Sequence, residues 1–168
     1  MSLLLVDGYN IINCWSEFSD LRLENMDIAR IELAEMLEEF VPLIWQKIII
    51  VYDAYRIKGK AASSFDTGKG VEVVYTGEGK TADVYIERLV VKLIETGEEV
   101  EVASSDNLEQ HIVLWKGARR VTARELKERL VECRAALKKG YLCSPPKNCL
   151  DERLSESVKT ILEKWRRL

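Results

Sequence analysis

Histidine is almost absent from this 168-residue chain, with His111 its one copy, and the four cysteines (Cys14, Cys133, Cys143 and Cys149) form no Cys-x-x-Cys pair. Zinc is therefore a poor fit, because its sites are built from closely spaced thiolates and imidazoles. Isolated cysteines of this kind are usually reduced and partly buried, a Cys143–Cys149 disulfide being the alternative. No apolar stretch approaches the roughly 20 residues that a membrane-spanning helix requires. The first apolar run, Leu3–Val6, has no basic segment before it and is too short for a secretion signal, so a cytoplasmic protein is expected. The chain has no Gly-rich P-loop and no G-x-G-x-x-G, so binding of nucleoside triphosphates or dinucleotides is not indicated. It also lacks internal repeats and low-complexity tracts.

What is present suits one globular domain. Apolar residues make up 47% of the chain, enough at this length to bury a substantial core. The net charge of −3 argues against a globally basic nucleic-acid binder. Its distribution is uneven. Residues 116–139 hold nine basic side chains against three acids, a net of +6, whereas 21–44 hold two against six, a net of −4. An acidic and a basic face suit an oriented partner such as a polyanion, although on charge alone two solvated helix faces are the first reading.

Three apolar runs end on an acid: Leu3-Leu4-Leu5-Val6-Asp7, Ile48-Ile49-Ile50-Val51-Tyr52-Asp53, and Val100-Glu101-Val102-Ala103-Ser104-Ser105-Asp106. They read as strands buried on both faces. A further strand at 71–75 precedes a helix over 81–96, with Val84, Leu89, Val90, Leu93 and Ile94 on its apolar stripe. Helices are also expected over 25–40, 106–116 and 122–139, with a short strand at 118–121 and a last helix after the linker 140–148. Thr122-Ala123-Arg124-Glu125 is a capping box. The alternation predicts an α/β fold, a single doubly wound parallel sheet of about five strands in the order 3-2-1-4-5. Residues 1–140 would form the main domain, with 141–168 a linker and C-terminal helix packed on it. In that order strands one and four are neighbours, which puts Asp7 near Asp106 at the topological switch point, where crevices form.

Asp7 directly abuts an apolar strand, so its carboxylate would be partly desolvated, which an ordinary Asp-Gly turn does not explain. Asn10 could orient Asp7, a water or a ligand. Asp83 follows Thr81 at a helix start, with Glu87 four residues on and on the same helix face. Helix capping accounts for Asp83 alone, and equally for Asp106 in Asp106-Asn107-Leu108-Glu109. Carboxylates converging on one rim repel each other unless a cation neutralises them, and hard oxygen donors select Mg²⁺ or Mn²⁺. Such a cation suits phosphodiester hydrolysis. Asp53, Glu87, Ser104 and Ser105 are secondary candidates, Asp53 because its strand lies one place farther from the switch point. His111 reads as structural. The long polar connection 54–70 carries Arg56, Lys58, Lys60 and Lys69, and either closes over a phosphate backbone or is a plain surface loop.

These residues resemble a known family. Leu4-Leu5-Val6-Asp7-Gly8-Tyr9-Asn10, Val51-Tyr52-Asp53-Ala54, Lys80-Thr81-Ala82-Asp83-Val84-Tyr85-Ile86-Glu87, Ala103-Ser104-Ser105-Asp106 with Glu109-Gln110, and Gly117-Ala118-Arg119-Arg120 with Thr122-Ala123-Arg124-Glu125-Leu126 follow the order and spacing of the YacP-like NYN domain. The resemblance runs into the helix after Thr122 and on toward Trp165-Arg166-Arg167. It implies a PIN-like fold and an RNA endonuclease using Mg²⁺ or Mn²⁺. It further implies Asp7 and Asp83 as metal ligands, Asp106 in support, and Asn10 positioning them. The family includes a ribosome-associated endoribonuclease that cleaves messenger RNA, so a ribosomal partner is implied too. Arg56, Lys58, Lys60, Lys80, Arg119 and Arg120 are candidates to hold the RNA backbone. Two other classes stand beside this one. A non-catalytic RNA- or ribosome-binding module would use the basic face alone, and a small-molecule phosphohydrolase or phospho-acceptor domain would also carry acids at strand ends.

Overall fold

The computed structural model describes residues 2–41, 43–53, 63–77, 79–105 and 117–138. Six strands form one mixed sheet: β1 (Ser2–Asp7), β2 (Trp45–Tyr52), β3 (Ser63–Asp66), β4 (Val71–Tyr75), β5 (Val100–Ala103) and β6 (Arg119–Val121). Their order across the sheet is β3-β4-β2-β1-β5-β6. Every pairing is parallel except β3 with β4. The five parallel strands follow the expected order. The sixth corrects the expectation, since part of the connection read as irregular is an antiparallel edge strand. All four residues of β3 are exposed, so Ser63-Ser64-Phe65-Asp66 carries no alternation of apolar and polar side chains to betray a strand.

The helices cover both faces. On one, α4 (Ala82–Glu95) packs Ala82, Ile86 and Val90 over Leu5, Ile49, Val51, Val74, Val100 and Val102. The spacing of four residues sets that stripe on one side of the helix. Val84, expected on the stripe, faces outward and is 40% exposed. Side chains alternate along strands, so Leu4, Val6, Ile48, Ile50 and Tyr52 point to the other face. That face meets α1 (Gly8–Cys14) and α3 (Met26–Glu38), which bury Ile11 and Ile12, and Ala29, Leu33 and Leu37. A short helix, α2 (Leu21–Glu24), leads into α3. Helix α5 (Ala123–Lys138) follows β6, and Thr122 caps it reciprocally. Thr122 N donates to Glu125 Oε2 at 2.7 Å, while Glu125 N donates to Thr122 Oγ1 at 3.1 Å.

Residues up to Leu130 form one compact unit, and a second unit begins at Val131, of which 131–138 are described. The expected helix at 106–116 and the linker and last helix lie outside the described residues. Among those described, no helix is long and apolar enough to cross a membrane.

Glu101 sits within the otherwise apolar β5 and is buried. It accepts from Trp45 Nε1 at 3.0 Å and Arg129 Nη1 at 2.7 Å, and it pairs with Arg119 at 3.2 Å. The Arg129 guanidinium also lies 5.5 Å from the Trp45 ring centroid. Buried charge is tolerated here because each carboxylate oxygen has donors facing it.

Candidate active site

The chain runs outward from β1 to β2 and β4, then crosses back to β5 on the other side of β1, so the switch point lies between β1 and β5. Asp7 ends β1, and Ser104 and Ser105 directly follow β5. Asn10 spans that gap. Its backbone N donates to Asp7 Oδ1 at 3.1 Å and its Nδ2 to Asp7 Oδ2 at 2.8 Å. Its Oδ1 accepts from Ser105 Oγ at 2.8 Å, and its Nδ2 also approaches Ser104 Oγ at 3.4 Å. One amide thus fixes the Asp7 carboxylate against two hydroxyls from the neighbouring strand.

Asp7 has two roles. It is the N-cap of α1, a helix absent from the elements expected of the sequence. It is also a carboxylate only 5% exposed. Burial pushes its pKa above the ordinary carboxylate range; the Asn10 hydrogen bonds pull it down, and the negative charge of Asp83 pushes it up again. Asp83 is exposed in the first turn of α4, where Thr81 Oγ1 accepts from Val84 N at 3.4 Å. Asp83 is thus near enough to act on Asp7 although 76 positions separate them in the chain.

Gly8 is explained by its neighbour. A Cβ at this position would fall within the Tyr52 ring, 2.6 Å from Cζ. Tyr52 is fully buried, so the ring has nowhere to retreat. Gly8→Ala is expected to cost about 1–3 kcal/mol, the usual penalty of overpacking. Chemical denaturation checks this, and an unchanged midpoint would contradict the contact.

Asp53 and Glu87 are half-buried, the first just past β2 at the same strand end, the second one turn beyond Asp83. Asp106, Arg56, Lys58 and Lys60 lie outside the described residues. Lys80 is exposed beside a recess of about 220 Å³ lined also by Ser63, Tyr75 and Tyr85. The two arginines of β6 diverge in use. Arg119 is engaged with Glu101, whereas Arg120 lines a groove of about 450 Å³ with Cys14, Ser105, Arg124 and Lys127. Ser105 joins that basic groove to the Asn10–Asp7 cluster. The groove wall is braced by Trp15, whose Nε1 donates to Ala123 O at 2.8 Å.

Among the described residues no three His, Cys, Asp or Glu side chains gather as a metal cage. Asp7 and Asp83 nevertheless fit a hard divalent cation. Mg²⁺ is commonly held by one or two carboxylates, its other positions filled by water and substrate phosphate. Each Asp7 oxygen accepts a hydrogen bond from Asn10, and the Tyr9 backbone N–H adds a third, so of about four acceptor positions on the carboxylate one remains for a cation.

A cluster that sequence reasoning missed lies beside this site. Arg30, buried in α3, donates from Nη1 to Tyr9 Oη at 2.9 Å and pairs with Asp27 through Nη2. Its guanidinium stands 5.8–5.9 Å from the ring centroids of Tyr9, Tyr52 and Tyr75. The clue was present, for Tyr9 and Tyr52 each lie beside a strand-end acid.

Comparison with known proteins bears on the family and the fold. The YacP-like NYN domain model matches residues 4–167. A Bacillus subtilis (strain 168) protein carried as "Uncharacterized protein YacP" is 36% identical over 169 residues, covering 99% of this chain and 98% of its own length. The crystal structure of Rae1 (YacP) from Bacillus subtilis superposes with a TM-score of 0.69 at 34% identity, covering 99% of this chain and 95% of that one. The crystal structure of a mutant of that same protein gives 0.71 at 29% identity, covering 98% and 99%. The fold is thus PIN-like.

Proposed function

We propose that this chain, which belongs to the YacP-like NYN domain family, is a metal-dependent endoribonuclease that hydrolyses RNA phosphodiester bonds at the carboxyl rim of its sheet. The supporting observation is the buried Asp7 carboxylate, fixed by Asn10 against Ser104 and Ser105 at the switch point, with the charge of Asp83 acting on it. A carboxylate whose charge is opposed by burial and by a nearby acid is costly to keep ionised, and a divalent cation removes that cost. Asp7 and Asp83 would hold Mg²⁺ or Mn²⁺, with Asp106 in support. When bound, the ion polarises a phosphoryl oxygen and makes an attacking water more acidic. Asn10 locks the Asp7 carboxylate, and Ser104 and Ser105 lock Asn10. Arg120 and Lys127 in the adjoining groove neutralise backbone phosphates. The family extends the proposal to messenger RNA cleaved at the ribosome in the cytoplasm.

The test is cleavage of a single-stranded RNA by purified protein in Mn²⁺ or Mg²⁺, with and without chelator. Asp83→Asn is expected to lower the rate on the order of a hundredfold or more. Because Asp83 is exposed, its melting temperature should barely move. Undiminished cutting by this variant, or in excess chelator, would remove the proposal.

A second reading rests on the capping geometry, since Asp7 caps α1 and Asp83 sits in the capped first turn of α4. A non-catalytic RNA-binding module needs nothing more from them. Charge reversal at Arg119 and Arg120 would then abolish function, whereas Asp83→Asn would preserve it.

A further inference from the structure

Four aromatic rings run in file from the candidate active site to the edge of the sheet. Tyr9 meets Tyr52 edge-on at 5.1 Å between centroids. Tyr52 stacks on Tyr75 at 5.6 Å and 24°, and Tyr75 on Phe65 at 6.4 Å and 26°. The register explains the file. Tyr52 lies directly opposite Tyr75 on the parallel pair β2–β4, and Phe65 sits one step diagonally from Tyr75 on the same face of the β3–β4 hairpin. Burial declines along it, from Tyr52 with no exposure through half-buried Tyr75 to Phe65 at 52%.

The exposed end opens on a recess of about 480 Å³ lined by Asp27, Arg30, Ile31, Glu35, Phe65 and Tyr75. Arg30 supplies an independent observation. It is only 8% exposed, and its Nε has no hydrogen-bond partner among the described residues. That N–H has no open surface of its own, so an acceptor entering the recess meets it only when the guanidinium turns outward, a turn favoured because an orphaned buried donor is costly. Acids on the rim disfavour a phosphate there, since Asp27, Glu35 and Glu38 all line the recess, and Glu38 is answered by Lys69 at 2.8 Å. A neutral, flat group with a ring acceptor and an amino donor meets all three features: the rings, the orphaned N–H and the carboxylates.

We propose that Phe65, Tyr75 and Arg30 form a subsite for one unpaired nucleobase bearing an exocyclic amino group, carried by a single-stranded RNA. The subsite rests on the endoribonuclease reading and narrows its substrate to RNA that is unpaired away from the cut. Tyr9 and Tyr52 stand between the subsite and Asp7, so the base it takes is not one flanking the scissile phosphate. Stacking on an aromatic platform tolerates sequence, and the acids add a preference for amino-bearing bases over uracil.

The experiment uses full-length Asp7→Asn protein, so that binding is read without cleavage. Oligoribonucleotides carry the fluorescent base 2-aminopurine at successive positions. One position is expected to be quenched on binding. Phe65→Ala should erase that quenching and weaken affinity roughly tenfold or more, while Phe65→Trp retains both. Replacing the same nucleotide by an abasic one should reproduce the Phe65→Ala loss. Unchanged quenching and affinity in Phe65→Ala would overturn the subsite, as would equal loss in Phe65→Ala and Phe65→Trp, which would indicate an edge used for strand pairing. The two proposals fail separately. Cleavage by wild type with no effect of Phe65→Ala removes only the subsite. Phe65-dependent quenching by a protein that never cuts RNA removes only the nuclease.

Discussion

Replacing Asp7 by Asn is expected to abolish RNA cleavage, on the order of a thousandfold loss, while raising the melting temperature in metal-free buffer. The two effects share one cause. The wild-type carboxylate is almost fully buried and is disfavoured as an anion by burial and by Asp83. An amide of the same shape carries no charge to desolvate. The hydrogen bonds survive with one adjustment. The new Nδ2 would oppose the Asn10 Nδ2, but Asn10 can turn its amide over because Ser105 Oγ, which now donates to it, can accept instead. Capping of α1 persists through Oδ1. Adding Mn²⁺ should then separate the proteins in the opposite sense. A ligand that binds only the folded state stabilises it by about 2.7 kcal/mol at a hundred times its dissociation constant. Wild type should gain and Asp7→Asn should not. Thermal melts with and without Mn²⁺, run beside cleavage assays, read both predictions. An Asp7→Asn protein that melts lower in chelator, or that still cuts RNA, would contradict the assignment of the site.

The second large effect concerns stability. Glu101→Ala is expected to destabilise the protein by about 2–4 kcal/mol, less than a fully buried pair would lose because Arg119 and Arg129 retain access to water. The loss is concentrated at Trp45, whose indole N–H is buried and has Glu101 as its acceptor. Glu101→Gln keeps an acceptor for that N–H and should lose less. A pH series separates the charge from the shape. Burial pushes the Glu101 carboxyl up, but the Arg129 and Trp45 hydrogen bonds, with the charges of Arg129 and Arg119, outweigh it and hold the group below its ordinary value. A depressed carboxyl stabilises the fold above its unfolded pKa, and that stability is lost as pH falls through the folded value. The gap between wild type and Glu101→Gln, measured by denaturant unfolding, should therefore be widest near neutrality and close in acid. A gap independent of pH would show that charge contributes nothing.

The parallel core was legible because β1 and β2 hold unbroken apolar runs stopped by an acid and β4 and β5 are mostly apolar, and the strand order follows from alternation with helices. The Asp7, Asn10, Ser104 and Ser105 neighbourhood was legible for the same reason, since strand ends in such sheets share one rim. Helix α1 was hidden because its seven residues follow Asp7 and open on Gly8, a pair that looks like a turn; its stability comes from Ile11 and Ile12 packing into the core rather than from propensity. Strand β3 was hidden by its exposure on both faces. Arg30 lies in a helix whose other charges are all acidic, three of them exposed, so nothing in the pattern marks it as the buried member. Glu101 is likewise a lone acid inside an apolar run, and only the fold reveals that Arg119 pairs opposite it across β5 and β6.

The Asn10 clasp between β1 and the end of β5 has a consequence in time. Strand β1 is among the first residues made, yet its partner hydroxyls are almost a hundred residues later, and β1 pairs with β5 as Leu3 with Val100. Pairings of such long range close late in folding because loop entropy must be overcome first. A chain still emerging from synthesis, short of Ser105, holds Asp7 without the clasp. If the clasp is required for the proposed cleavage, that activity would wait until Ser105 has been made and folded onto β1, and a shorter nascent chain would not cut the message that encodes it.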